Sequence, residues 1–183
     1  QDLQDKLQDA LANAAADKGS TQAIKDAQKA LDDAIKQAQS DLADVKNTAM
    51  SDMTKVPANL LDDKSVTDAK AALNDAINSA TATATDVKNA QQALDDAVTA
   101  AKSAQEGAAA TANKAVTDVP ASVKDSDAVK DAIAKVQGLT KDLTADAATK
   151  SAIDQAKQEL AAAVAEQQGV RSDAVTAAKS ALD

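Results

Sequence analysis

The sequence contains no aromatic residue, no histidine and no cysteine among its 183 residues. Without histidine or cysteine, the chain lacks the imidazole and thiolate ligands of most transition-metal sites, and it lacks the imidazole that activates a nucleophilic serine. Without cysteine, disulfide bonds are excluded. Without aromatic rings, the chain offers no stacking platform for single-stranded nucleic acid and no aromatic binding hot spot. An apolar core must therefore be built from alanine, leucine, valine and isoleucine.

The charge balance excludes further classes of partner. Asp and Glu number 29 against 20 Lys and Arg, which gives a net charge of -9 and a pI near 4.5. Nucleic acid and anionic membrane surfaces are therefore not expected as partners. No apolar run of about 18 residues predicts a membrane-spanning helix, and no basic-then-apolar start predicts a signal peptide in this segment. Because the chain begins at Gln1 and ends within an amphipathic pattern, we expect a piece of a longer protein.

One twelve-residue stretch occurs nearly unchanged twice. IKDAQKALDDAI from Ile24 and VKNAQQALDDAV from Val87 agree at eight positions and lie 63 residues apart. A weaker third copy, IDQAKQELAAAV, begins at Ile153. Pro57 and Pro120 are also 63 residues apart, each within a VPA segment. The chain is therefore predicted to consist of three helical repeats, residues 1–56, 57–119 and 120–183.

Each repeat combines a short and a long apolar stripe, in which apolar residues recur every three or four positions as in an amphipathic helix. The short stripe is LQDALANA from Leu7 and LNDAINSA from Leu73. Gly19 with Ser20 or Thr21, and the TATAT run at residues 81–85, are predicted turns that supply helix caps. The proline after each of the first two long stripes is predicted to end the helix. The first long stripe is Ile24, Ala27, Leu31, Ile35, Ala38, Leu42, Val45, Ala49, Met53 and Val56, and the third ends with Val175, Ala178 and Leu182.

The long stripes, about residues 21–56, 85–119 and 149–183, allow two interpretations. Ser40-Asp41 and Ser103 could begin a second helix, Ser103 with Glu106 fits a capping box, and Gly107 and Gly169 weaken the middle. With such a break, each repeat is a self-contained three-helix bundle. Without it, the second half of one long helix packs with the next short helix and the first half of the next long helix, so that neighbouring bundles share helices. We favour the continuous form.

The recurring core pattern, AQKALDDAI, AQQALDDAV and AKQELAAAV, resembles the FIVAR-type and Ebh-like helical repeats of Gram-positive cell-wall-anchored surface proteins. The resemblance covers all three units. It implies an all-α fold of tandem three-helix bundles, spectrin-like or FIVAR-like, joined by long shared helices into an elongated rod. It also implies a stalk or adhesin segment, extracellular on the bacterial cell surface and anchored to the cell wall through other segments. The expected partners are the rest of a larger surface protein and a host protein or extracellular matrix ligand.

Paired acidic residues are the first candidates for a functional site. Asp32-Asp33 and Asp95-Asp96 occupy the same place in two repeats, but Ala161-Ala162 replaces them in the third. Adjacent helical residues point about 100° apart, so each pair is predicted to face water rather than converge on one ion. Two further clusters, Asp62-Asp63 and Asp125-Ser126-Asp127, precede predicted short helices and are interpreted as N-terminal caps.

No other residue pattern predicts chemistry. Serine and threonine have no histidine to activate them, the lysines lie at polar positions, and Met50 and Met53 are interpreted as core residues of a long helix. We therefore predict no enzyme, no catalytic, cofactor-binding or metal-binding residues, no cofactor, and a monomer. The alternative to a rod-like spacer is a three-helix module that binds a host protein or mucus component. A parallel coiled-coil dimer and a desiccation-protective, largely disordered chain are weaker alternatives.

Overall fold

The computed structural model describes residues 21–181, together with Gln8 and Ala12, and all regular secondary structure in this part of the chain is helical. The prediction of an all-α fold is confirmed. The short stripe from Leu7, Gly19 with Ser20, and Leu182 lie outside the described residues. The elements are α1 (Thr21–Thr54), a short 3-10 helix (Ala58–Leu60), α2 (Lys64–Asn78), α3 (Ala84–Thr117), α4 (Asp127–Lys141) and α5 (Lys150–Ser180).

The long stripes form continuous helices, and the predicted alternative of a break near their middle is wrong. α1 and α3 each contain 34 residues and α5 contains 31. Ser40, Ser103, Gly107 and Gly169 all lie inside these helices. A single glycine costs about 1 kcal/mol relative to alanine, which an uninterrupted run of good helix formers on both sides offsets. Each 34-residue helix is about 51 Å long at 1.5 Å per residue.

The helix ends follow the sequence repeat. α1 ends at Thr54 and α3 at Thr117, each three residues before a proline. These ends come two residues before the predicted ends at 56 and 119, because proline disfavours the helical conformation in the residue that precedes it. α2 and α4 each contain 15 residues. The loop after α4, residues 142–149, is three residues longer than the loop after α2, residues 79–83, which accounts for the change in repeat spacing.

Polar side chains cap the helix starts. Thr83, within the predicted TATAT turn, accepts the Asp86 N–H at 3.2 Å, and its own N–H donates to Asp86 Oδ2 at 2.8 Å, which forms a capping box. Thr149 Oγ1 accepts the Ala152 N–H at 3.1 Å at the start of α5. Each cap satisfies N–H groups that have no partner inside the helix. The capping box predicted at Ser103 and Glu106 does not exist, because both residues lie inside α3.

Two apolar cores divide the described residues, and α3 contributes to both. The first core combines the second half of α1, α2 and the first half of α3. The second combines the second half of α3, α4 and the first half of α5. Within α3, Ala101 belongs to the first core and Ala108 to the second. The buried residues of the first core are Ala49, Leu60, Val66, Leu73, Ile77, Val87, Leu94 and Ala101.

Several residues predicted on apolar stripes are exposed instead. Ile35 is 47% exposed and Val175 is 53% exposed, because neither core extends over the first half of α1 or the second half of α5. Met50, interpreted as a core residue, is 42% exposed, whereas Met53 is half-buried beside the first core. Met50 lies one residue past Ala49, which takes the core-facing position of that turn.

Candidate functional site

The two aspartate pairs lie on solvated helix faces, as the sequence predicts. Asp32, Asp33, Asp95 and Asp96 are all exposed. Asp33 accepts a hydrogen bond from Lys29 Nζ at 2.7 Å, one turn earlier, and this contact lowers the pKa of the Asp33 carboxyl. Asp96 accepts from Gln92 Nε2 at 2.9 Å in the same i to i+4 geometry. Each contact stays within one helix, so the structure brings neither pair into a shared site.

The two acidic clusters before the short helices act as caps. Asp63 Oδ1 accepts the Ser65 N–H at 2.8 Å and the Ser65 hydroxyl at 2.6 Å, and these bonds lower the pKa of the Asp63 carboxyl, the hydroxyl most strongly. Ser126 Oγ accepts the Val129 N–H at 3.4 Å, with Asp127 in the first turn of α4. These residues stabilise helix N-termini by satisfying backbone donors and by placing negative charge at the positive end of the dipole.

A groove with charges of both signs joins the start of α2 to the start of α5. It encloses about 690 Å³ and is lined by Asp62, Asp63, Lys64, Lys150 and neighbouring polar residues of α5. Asp62 Oδ2 accepts the Ser151 N–H at 3.4 Å, and Lys150 donates to Asp154 at 2.7 Å, which raises the pKa of Lys150. The carboxylates of this groove are therefore already paired within the protein: Asp62 and Asp63 accept backbone N–H groups, and Asp154 accepts from the ammonium group of Lys150.

Sequence reasoning missed a buried polar junction between the two cores. Asn59 and Gln105 are each 3% exposed and are the buried polar residues of the described chain. Asn59 Nδ2 donates to the Leu143 carbonyl oxygen at 2.7 Å, and Gln105 Nε2 donates to the same oxygen at 3.0 Å. Gln105 also donates to the carbonyl oxygen of Ala148. The loop between α4 and α5 is thereby tied to the middle of α3 and to the 3-10 helix after α1.

The repeat could have pointed to this junction. Gln105 occupies the register position that Leu42 holds in α1, so a polar residue replaces an apolar one on the core-facing side of a long helix. The loop that supplies the two carbonyl groups is the one with three additional residues. Buried carbonyl groups need hydrogen-bond donors, which the two side-chain amides provide. A cavity of about 240 Å³ adjoins the junction, lined in part by Pro57, Lys102 and Glu106.

A mainly apolar groove lies between the end of α3 and α5. It encloses about 410 Å³ and includes Ala115, Val119, Pro120, Leu160 and Val164. A smaller groove of about 230 Å³ occupies the equivalent place in the preceding unit, with Val56, Pro57, Leu94 and Val98 among its residues. The two grooves are lined by equivalent residues, including Pro57 in one and Pro120 in the other. The sequence repeat is therefore also present in the shape of the surface.

No convergent chemical site and no candidate membrane span were found among the described residues. In that part of the chain no three carboxylate side chains come together as a metal site would require, and no helix has the length and apolarity to cross a bilayer. Comparisons of the chain with protein-family models, with curated proteins and with solved structures gave no match.

Proposed function

We propose that the chain is a non-catalytic, rod-like spacer segment of a bacterial cell-surface protein, which projects other parts of an adhesin from the cell wall. In this proposal the units at residues 1–56, 57–119 and 120–183 form tandem three-helix bundles that share their long helices. The observation that carries it is the continuity of α3 through both cores. A helix that belongs to two successive cores resists bending between them, as a spacer requires.

The junction at Asn59 and Gln105 adds a second link between the units, because it ties the loop after α4, in the unit 120–183, to two residues of the unit 57–119. The resemblance to FIVAR-type repeats is the basis for placing the spacer outside the cell.

Small-angle scattering combined with a mass measurement tests the shape. If each long helix overlaps the next over half its length, three such helices span about 100 Å. A rod about 100 Å long has a radius of gyration of about 30 Å. A compact domain of 183 residues has a radius of gyration of about 16 Å. A value near the compact figure for a monomer would contradict the spacer proposal. Cell fractionation of the source organism with an antibody to this chain tests the surface location.

The apolar groove between α3 and α5 favours a second candidate function, a module that binds a host protein or mucus component. Among its lining residues, Pro120, Ala161 and Val164 are at least partly exposed and offer apolar surface to a partner side chain. Titration of purified serum albumin or mucin against the chain tests this function, with Ala161→Arg as a groove variant and Ala162→Arg, also exposed but not lining the groove, as its control. Binding that Ala161→Arg alone removes would support the module, and no binding would contradict it.

A further inference from the structure

Equivalent residues of the three long helices differ in burial: the residue is buried in α1 and α3 and exposed in α5. Ala49 in α1, Ala112 in α3 and Ala178 in α5 correspond through offsets of 63 and 66 residues. Ala49 and Ala112 are each 0% exposed, since each belongs to a core formed with the following short helix and long helix. Ala178 is exposed, and Val175, one turn earlier, is 53% exposed. The second half of α5 therefore presents a core-facing stripe that no described element covers.

The first half of α1 shows the complementary pattern. Leu31, Leu94 and Leu160 share one register position in the first halves of the three long helices. Leu94 and Leu160 are each 1% exposed and share a core with the second half of the preceding long helix. Leu31 is only half-buried, and Ile35, one turn later, is 47% exposed. The counterparts of Ile35 in α3 and α5 are half-buried.

These counterparts show what such a position contacts when its core is complete. Val98 lies in a groove with Asp52 of α1 and with Val56, two residues after the end of α1. Val164 lies in the equivalent groove with Ala115 of α3 and with Val119, two residues after the end of α3. In both cases the first half of a long helix lies beside the second half of the long helix that precedes it. The molecule thus forms this contact between long helices twice internally. The second half of α5 and the first half of α1 each carry one of the two surfaces of the contact, and no described element covers them in the same way.

We propose that the second half of α5 docks onto the first half of α1 of a second copy of this chain, head to tail. A second copy places Val175 and Ala178 against the stripe of Ile24 and Leu31 in the register that the two internal contacts use. Each internal contact also includes a short helix, and the stretch LQDALANA from Leu7 has a sequence similar to that of α2. The surface that receives α5 is therefore the apolar face of α1 in the second copy, which corresponds to the faces of α3 and α5 that are covered internally.

The nature of the two surfaces determines what the association does. Because they differ, the contact is heterologous, and each added copy leaves one α5 surface and one α1 surface available, which produces open chains. Valine and alanine bury little apolar area per residue, so the contact is weak. Each copy carries a net charge of -9, so added salt screens the repulsion between copies and strengthens the association.

Analytical ultracentrifugation over a concentration series up to about 1 mM tests the contact. We expect the average mass of the full chain to rise with concentration past that of a dimer, and to rise further with salt. Ala178→Asp should keep the chain monomeric, because it places a charge at the docked stripe. Ala177→Asp is the matched control: its counterpart in α3, Thr111, is exposed, so association should persist. Both substitutions have the same effect on helix propensity, and circular dichroism confirms the fold.

A mixing experiment identifies the two surfaces. Ile24→Asp should also keep the chain monomeric, because it places a charge on the α1 stripe at a position whose counterparts Val87 and Ile153 are buried in the two cores. An equal mixture of Ile24→Asp and Ala178→Asp retains one intact surface of each kind, so it should form dimers and nothing larger. Three results would overturn the proposal: a monomeric wild-type chain at every concentration and salt, equal effects of Ala177→Asp and Ala178→Asp, or undiminished self-association of Ile24→Asp alone, which would indicate pairing of α5 with α5. The spacer role does not depend on this contact.

Discussion

Replacement of Gly107 by alanine should stabilise the protein, because Gly107 lies in the interior of α3 between the two cores. A methyl group added at Gly107 meets no atom within 4 Å, so the substitution introduces no clash. The residue is exposed, so the methyl group gains little from burial. The expected change is therefore the difference in helix propensity, an increase of about 0.8–1 kcal/mol in the free energy of unfolding. For a chain of this length, that corresponds to a rise of about 2–3 °C in Tm.

Urea denaturation followed by circular dichroism measures this change. Ala110→Gly, an exposed site in the same helix, is the matched reverse substitution and should destabilise the protein by a similar amount. The pair separates a continuous helix from a broken one, because a glycine that ends a helix normally has a positive φ that alanine tolerates poorly. Destabilisation by Gly107→Ala would refute the continuity of α3, and with it the main support for a rigid spacer.

Three further predictions concern the cores, the junction and the caps. Leu94→Ala and Leu160→Ala should each lower the free energy of unfolding by about 2–5 kcal/mol in urea titrations, because both side chains are buried. Leu31→Ala should lower the free energy of unfolding by less, because Leu31 is only half-buried. An equal loss at Leu31 would contradict this burial pattern. Gln105→Ala should cost roughly 1–3 kcal/mol and speed amide hydrogen exchange in the loop after α4, whereas unchanged exchange would show that the junction does not hold this loop. The Thr83 N–H and hydroxyl lower the pKa of the Asp86 carboxyl in the folded protein, so its contribution to stability is complete above the unfolded-state pKa of about 4 and is lost as the pH falls through the lower folded-state value. Asp86→Asn should therefore weaken the acid dependence of Tm, and an identical pH profile would contradict this.

The helical fold could be predicted from the sequence because its main determinants are local. Apolar residues every three or four positions, few prolines and a high alanine content predict helices without knowledge of tertiary contacts. The prolines at 57 and 120 placed the helix ends to within two residues. Asp63 and Ser126, at the start of their helices, were predicted as caps because capping depends only on residues within one turn.

Features that depend on tertiary contacts could not be predicted in the same way. The exposure of Ile35 and Val175 depends on which elements lie beside them, and periodicity alone carries no such information. The junction at Asn59 and Gln105 joins residues 38 and 84 positions away from Leu143, and no local pattern specifies that separation. The continuity of the long helices was open because Ser103 and Gly107 provide local signals for a break, which the surrounding helix outweighs.

The position of α3 in both cores also bears on how the protein unfolds. In an array of separate domains, each domain can lose its structure while its neighbours keep theirs. Here, loss of α3 removes packing partners from α2 and α4 together. The unfolding of one unit therefore lowers the stability of the neighbouring unit. Stability in such an array resides largely in the coupling between neighbours, and it grows with the number of units. Under mechanical load, the chain should therefore yield in few, large steps rather than one small step per unit.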